Sequence, residues 1–554
     1  MKLETEFYTR NGAVYDKDGR FRIFRGFSVH DELSVTASEA DADAFFSRVA
    51  ELGGTLLFWN VPWTAVEPSA PDEYDEAYLA DLRRLLKQAE SYALRFVLEP
   101  SFSRAGASDF VSGIPSWIPD LIGLDTDSVP KADAAAVSVG SQRAGTAANR
   151  PLYAAPDLSA YAPATVNTLF WGAADFAPAV HAEGEAVSEY LQAHYIAAMK
   201  HTARRLKDCE SVIGFGCMAD AHPGYIGTED PARFAAAFSD CLSAPVWKPG
   251  FDCPWKSAGV WHEAGGAVVF DMPDYFNTLC GAPVRFAEDF LKPFQKRFMA
   301  ALEKKHDQYL FFPEAAVTGE RPQWRIFENP ALLPDRAVEK EGGVLAEGDR
   351  ETLKMILPFA FQAFSAVPPV SDPAAEITGT GTAAAGKTLP FLVTGVCPSE
   401  PCARAALAST VSFIKNAAAS LFGKRSGAEP DARAALDEPR ISYLYASVPD
   451  SADALDGAGL IRPYACAVNG TPLGSSFRSE PVAVFEFEWH ALPQQSGSGT
   501  AGATELVIPS VWYPSGWKVE SFDGVGTLTC APERQRLYVT TLSERKCRIR
   551  IVPA

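Results

Sequence analysis

The run Thr55-Leu56-Leu57-Phe58-Trp59 follows helical spacing near residues 40–52, and Arg95-Phe96-Val97-Leu98 follows helical spacing near residues 76–92. A short β-rich run after an amphipathic helix, given twice in succession, marks parallel α/β units, because parallel neighbours need a long crossover connection. Further along, Ser211-Val212-Ile213-Gly214-Phe215, Tyr309-Leu310-Phe311-Phe312, Leu389-Pro390-Phe391-Leu392-Val393 and Ile441-Ser442-Tyr443-Leu444-Tyr445 extend the series. Strand-and-helix units repeated over roughly 250 residues or more predict an α/β fold of the (β/α)8 TIM-barrel type. Toward the N-terminus, Glu6-Phe7-Tyr8-Thr9, an Asn11-Gly12 turn, Ala13-Val14-Tyr15, a Lys17-Asp18-Gly19 turn and Phe21-Arg22-Ile23-Phe24 predict short hairpin strands that plug one end of the barrel. Beyond about Ile461 the period changes to two, as in residues 482–489 and 547–552, which predicts a C-terminal antiparallel β-sandwich. The expected domains are therefore a barrel over 1–455 and a β-sandwich over 456–554. Three stretches rich in Ala, Gly, Ser and Thr, residues 131–150, 372–388 and 494–504, are expected as surface loops.

Composition narrows the function. The chain has 554 residues, 47% hydrophobic and 21% charged, which suits a large folded core and argues against general disorder. A formal net charge of −19 argues against nucleic acid as a partner, since that affinity rests on clustered Lys and Arg. The charged start Met1-Lys2-Leu3-Glu4 has no apolar leader, and no run reaches 18 apolar residues, so a soluble, intracellular protein without a transmembrane segment is expected. Ten cysteines in this length match no common zinc spacing; reduced thiols and no cofactor are expected.

Several phrases resemble subfamily 12 of glycoside hydrolase family 5, the group of fungal glucosylceramidases and steryl-β-glucosidases. They include Trp63-Thr64-Ala65-Val66-Glu67, Ser112-Gly113-Ile114-Pro115-Ser116-Trp117, Thr168-Leu169-Phe170-Trp171, and the long run from Val212 through Ala219-Asp220-Ala221-His222-Pro223-Gly224 to Gly227. Arg462-Pro463-Tyr464 and Thr504-Glu505-Leu506-Val507-Ile508-Pro509 carry the resemblance into the C-terminal region. It implies a double displacement by two carboxyl groups about 5 Å apart, one the nucleophile and one the acid/base.

Both positions are altered. The resemblance places the acid/base in an Asn-Glu-Pro-His phrase, where this chain has Ala219-Asp220-Ala221-His222. It places the nucleophile in an Ile-Gly-Glu-x-Gly phrase at the seventh strand, where Gly395 of Val393-Thr394-Gly395-Val396-Cys397 stands. An expected arginine of the second strand falls at Phe58, a histidine after the third at Ser101, and the stacking tryptophan of the eighth at Tyr445. Glu314, in Phe311-Phe312-Pro313-Glu314, matches a supporting glutamate of the sixth strand. Trp63, Trp117 and Ala219 complete the expected pocket lining.

Alternatives stand beside these assignments. A shifted match would promote Glu400 or Glu314 to nucleophile. Asp220, His222 and Cys397 offer metal-ligand chemistry, but three scattered groups make a poor site; His222 reads better as a loop histidine bonded to its neighbours, and no metal is expected. The aromatic residues serve packing as readily as a carbohydrate cleft. The reading favoured by the sequence is a pseudoenzyme that binds a glycolipid or glucoside ligand, or scaffolds a protein assembly. The alternative is an active β-glucosidase acting on glucosylceramide or steryl glucoside.

Overall fold

A computed structural model of the chain describes residues 7–10, 13–29, 33–103, 113–125, 127, 161–219, 221–228, 246–303, 309–312, 325–326, 391–396, 442–445, 461–494 and 500–554. The predicted loops at 131–150 and 372–388 lie outside these residues.

Three short strands open the chain: β1 (Phe7–Arg10), β2 (Ala13–Asp16) and β3 (Phe21–Arg22). The parallel sheet then begins with β4 (Arg25–Val29), followed by β5 (Leu56–Pro62), β6 (Arg95–Ser101), β7 (Val212–Gly216) and β8 (Leu310–Phe312). A short β9 (Arg325–Ile326), β10 (Phe391–Val396) and β11 (Ser442–Tyr445) complete it. The hydrogen-bonded order is β8-β7-β6-β5-β4-β11-β10-β9, parallel throughout except for the β9/β10 pair. Leu310 of β8, the strand the resemblance numbers sixth, pairs directly with Gly214 of β7. Among the described residues no strand separates them. The residues between β7 and β8 instead form hairpins such as Trp261–Ala264 with Ala267–Phe270. The terminal strands β8 and β9 approach each other with Cα atoms within 8 Å.

Helices cover one face of this sheet. Helix α1 (Glu39–Glu51) starts where Ser38 Oγ accepts the Asp41 N–H at 3.2 Å, and α2 (Glu76–Ala89) where Asp75 Oδ1 accepts the Tyr78 N–H at 2.9 Å. Their apolar stripes, Phe46 and Val49 on α1 and Leu79, Leu82 and Leu86 on α2, pack onto Leu57, Trp59 and Leu98 of β5 and β6. Helix α3 (Tyr161–Phe176) is buried over nearly its whole circumference, and α4 (Val187–Arg205) and α5 (Lys292–Glu303) lie beyond it. The chain leaves α1 through Gly53 at φ +79°, a left-handed turn that glycine adopts without a Cβ penalty.

The other face of the sheet carries a separate core. Leu56 and Phe58 of β5, Val97 of β6, Ile213 of β7 and Leu310 and Phe312 of β8 join Phe7, Val14 and Phe24 there. Phe58 and Phe312 meet edge to face at 5.5 Å although two strands separate β5 from β8, so the sheet curls strongly around this cluster.

The C-terminal region has β12 (Tyr464–Val468), β13 (Gly470–Arg478), β14 (Val484–Ala491), β15 (Thr504–Val507), β16 (Trp517–Asp523), β17 (Gly526–Ala531), β18 (Arg536–Thr541) and β19 (Arg545–Pro553). They form two antiparallel sheets, β13-β14-β19-β16 and β1-β2-β3-β12-β15-β18-β17. Strict alternation explains the first: Phe485, Phe487 and Trp489 face the shared core, while Glu486 faces outward to Arg548 at 2.6 Å and Arg550 at 2.5 Å. The second sheet recruits the N-terminal strands, with Arg22 of β3 opposite Ala467 of β12. The hairpin expected to plug the barrel thus does two things: Phe7 and Val14 close the inner core, and its backbone extends the C-terminal sheet.

Candidate functional site

Alternation along β5 and β6 decides which side chains face the inner core. Phe58 and Val97 face it, so Asn60 on β5 and Glu99 and Ser101 on β6 follow on the same side toward the C-terminal strand ends. Glu99 is 3% exposed and Ser101 7%. Ser101 Oγ lies 3.3 Å from Asn60 Oδ1, which accepts its proton, and Asn60 Nδ2 donates to the Glu99 carbonyl at 3.3 Å. Ser101 also pairs with Ala219 in an isolated parallel bridge, and the Ala219 N–H donates to the Pro100 carbonyl at 2.6 Å. The structure therefore places Phe58 and Ser101 on one sheet face, with Ser101 bridged to Ala219 at its C-terminal strand end and Phe58 further back in the inner core.

The loop after β7 is fixed from both sides of position 220. Ala219 is held by β6 as above. On the far side, the His222 carbonyl accepts the Trp171 Nε1–H at 2.8 Å, and the Tyr225 N–H donates to Thr168 Oγ1 at 2.8 Å. His222 Nδ1 accepts the Gly224 N–H at 3.0 Å, which matches its expected role as a loop histidine bonded to its neighbours and leaves the ring proton on Nε2. Asp220, Glu314, Cys397 and Glu400 lie outside the described residues. Gly395 and Tyr445 are placed as strand positions: Gly395 is the penultimate residue of β10, and Val396 pairs with Tyr445 of β11.

Trp63 and Trp117 fall elsewhere. They meet edge to face at 5.5 Å in the helix-side core, where Trp63 has no exposed surface and also packs on Phe102 and Tyr195. Trp63 Nε1 donates to the buried Glu67 carboxylate at 2.7 Å, the Asp72 N–H donates to its other oxygen at 2.5 Å, and His194 Nδ1 of α4 approaches that oxygen at 3.2 Å. Glu67, Asp72 and His194 bring ligand atoms within 4.8 Å of one another, but both Glu67 oxygens already take N–H groups, so the trio works as a clamp between α4 and the segment after β5.

The hydrogen bond accepted by Glu67, helped by the charges of Glu67 and Asp72, raises the His194 pKa above its ordinary value against the opposing effect of burial. A raised folded-state pKa contributes stability that is full below the unfolded value near 6.5 and is lost as pH rises through the folded value. The gap in urea midpoint between the native chain and His194→Gln is therefore expected to be widest below pH 6.5 and to shrink above it. A gap that grows with pH contradicts the assignment.

Sequence reasoning passed over Glu99, a buried carboxylate on the inner face. The signal was present, since Val97, Glu99 and Ser101 alternate with the outward Phe96 and Leu98.

Among the described residues no helix is long and apolar enough to cross a membrane. Comparison with known proteins agrees with the sequence phrases. Residues 462–551 match the glycoside hydrolase family 5 C-terminal domain. A glucosylceramidase of Rhizopus delemar is 28% identical over 364 residues, 58% of this chain and 52% of the relative. A glucosylceramidase of Cryptococcus neoformans is 28% identical over 361 residues, covering 51% and 48%. An ergosteryl-β-glucosidase of Saccharomyces cerevisiae is 24% identical over 39% of this chain and 34% of the relative. The chain thus spans about half the length of the glucosylceramidases it matches. The crystal structure of Cryptococcus neoformans sterylglucosidase 1 superposes with a TM-score of 0.65 at 16% identity, covering 100% of this chain and 98% of that one. Endo-glycoceramidase II from Rhodococcus sp. gives 0.53 at 18% identity, covering 98% and 99%. Residues 462–551 thus match the family 5 C-terminal domain, and the chain resembles glucosylceramidases and an ergosteryl-β-glucosidase in sequence and the sterylglucosidase in fold.

Proposed function

We propose that this chain is a family 5 pseudoenzyme, a glycosidase-like barrel that binds a glucoside or glycolipid, or scaffolds an assembly, without turning a substrate over. The observation that carries it is position 395. Gly395 stands one residue from the end of β10, where the family resemblance calls for the attacking glutamate, and a glycine has no side-chain carboxylate to attack an anomeric carbon. Losing one member of a catalytic unit removes most of its rate enhancement, whatever binding is left. Phe58 supports the same reading: a ring packed on Phe312 takes the place of a cationic sugar contact.

In this proposal the parallel sheet closes into a (β/α)8 TIM barrel over residues 1–455, with a β-sandwich domain over 456–554. The approach of β8 to β9 and the Phe58–Phe312 contact support closure.

Glu99 favours a second reading, an active β-glucosidase acting on a steryl glucoside or glucosylceramide. A buried carboxylate lies on the strand face that ends at Ser101, and Ser101 pairs with the residue before Asp220.

Hydrolysis of a fluorogenic β-glucoside by the native chain, Asp220→Ala and Glu99→Gln distinguishes the two. No release above buffer is expected from any of them. Native turnover that disappears in either variant overturns the pseudoenzyme. Glucosides that raise the melting temperature without turnover assign binding, and a flat response assigns the scaffold role.

A further inference from the structure

Among the described residues the two C-terminal sheets have four edge strands, β1 and β17 on one and β13 and β16 on the other. A free edge invites another strand, and proteins blunt it by shortness, proline, charge or a bulge. Three of the four are blunted. Strand β1 is four residues long. Strand β13 contains Pro472 and shifts register between Pro472 and Gly474. Strand β16 exposes Lys518, Glu520 and Asp523 and shifts register between Val519 and Ser521. Strand β17 has none of these devices: Gly526-Thr527-Leu528-Thr529-Cys530-Ala531 carries no charge and no proline, pairs with β18 residue for residue, and exposes Thr527 through Cys530. We propose that β17 pairs antiparallel with β17 of a second copy of this chain, joining two sheets into one across a two-fold axis at Thr529.

Symmetry is the first argument. An antiparallel edge is complementary to itself, because its outward N–H and C=O groups meet the same groups in reverse order about a two-fold axis. A chain with a formal net charge of −19 can approach its own copy only along a strip that sets no like charges opposite each other, and β17 supplies one.

Side-chain pairing sets the register. Leu528 stands opposite Val539 and Cys530 opposite Leu537, so both lie on the core face of the sheet at its open rim, with Leu528 36% exposed. With Thr529 on the axis, each Leu528 faces the second copy's Cys530, and the two Thr529 side chains meet on the outer face. Burial pushes the Cys530 thiol up, so it meets the leucine uncharged. Beside the start of β17, Val525 and Leu542 are 45% and 61% exposed, tied by the Leu542 N–H donating to the Val525 carbonyl at 2.9 Å. The same register turns this apolar pair toward the second copy's Pro532.

Charge at the strand ends is the third argument. Asp523, with its side chain 81% exposed, precedes β17 and lies 3.4 Å from Arg545. The exposed Glu533 and Arg534 follow it. Antiparallel pairing brings Asp523 of one copy toward Arg534 of the other and Arg545 toward Glu533, and does so twice. The contact does not depend on whether the chain turns a substrate over.

The test measures the mass of the full native chain by sedimentation velocity over a rising concentration series. A reversible monomer–dimer equilibrium is expected. Thr529→Lys sets two ammonium groups opposite each other on the axis and is expected to weaken dimerisation about ten-fold, and Thr529→Glu likewise. An equimolar mixture of the two variants is expected to dimerise again, because each lysine then faces a glutamate, and that rescue excludes misfolding of either. Ser521→Lys, on the blunted edge β16, is expected to leave the equilibrium unchanged. A native chain that stays monomeric at every concentration, a dimer that survives both Thr529 variants, variants that stay monomeric when mixed, or a dimer abolished by Ser521→Lys overturns the proposal.

Discussion

Trp63→Ala is expected to lower the unfolding free energy by about 3–5 kcal/mol through the cavity it leaves. The indole has no exposed surface and meets Phe102, Trp117 and Tyr195 at ring distances of 5.6, 5.5 and 5.3 Å. Three rings from different parts of the chain cannot all collapse into the space. Its N–H is also one of the donors to the fully buried Glu67 carboxylate, and removing it costs about 1–3 kcal/mol more, since a buried acceptor loses a partner that water cannot replace. Trp63→Phe keeps most of the packing and deletes only the donor, so it is expected to cost about the smaller amount alone. Urea unfolding of the two variants separates the contributions. A loss below about 1 kcal/mol for Trp63→Ala refutes the packing described here.

Gly26→Ala is expected to cost about 3 kcal/mol or more, above the usual range for one added methyl group. A Cβ at this position lies 1.7 Å from the Leu56 carbonyl oxygen and 2.7 Å from its carbon. No side chain can move aside, because the obstacle is the backbone of β5. The substitution must pry β4 from β5, and β4 is also paired with β11 through Gly26 and Leu444. Gly474→Ala is the control: its Cβ meets only the Glu488 Cβ at 4.0 Å, and a change within about 0.5 kcal/mol is expected. Equal melting temperatures for the two alanine variants contradict the strand spacing.

The parallel strands were legible because both of their faces are apolar. Leu56-Leu57-Phe58-Trp59 reads as a buried run whichever side each residue takes. The C-terminal strands were legible for the opposite reason, a clean alternation of Phe485, Phe487 and Trp489 with glutamates. Neighbour order was harder. Nothing local to Tyr309-Leu310-Phe311-Phe312 says that it pairs with Val212–Gly216, since pairing is a long-range choice. The same limit hid the destination of the N-terminal hairpin: its turns fix its own register, but not the sheet it joins. In the site, residue identity pointed to Ser101 and Ala219, and the structure bridges them. Trp63 and Trp117 were harder to place from identity alone, because a tryptophan looks the same in a cleft and in a core; their helix-side packing comes from α4 and Phe102, remote in sequence.

The pairing of β3 with β12 sets a schedule for the newborn polypeptide. Arg22 and Phe21 leave the ribosome roughly 440 residues before Ala467 and Val468, a wait of about 20–90 s at ordinary rates of translation. Through that interval the hairpin carries an unsatisfied edge and two apolar side chains, Phe7 and Val14, with their final neighbours only partly made. Chaperones have their natural point of capture there, and slower elongation or early termination should show first as aggregation seeded by the opening residues.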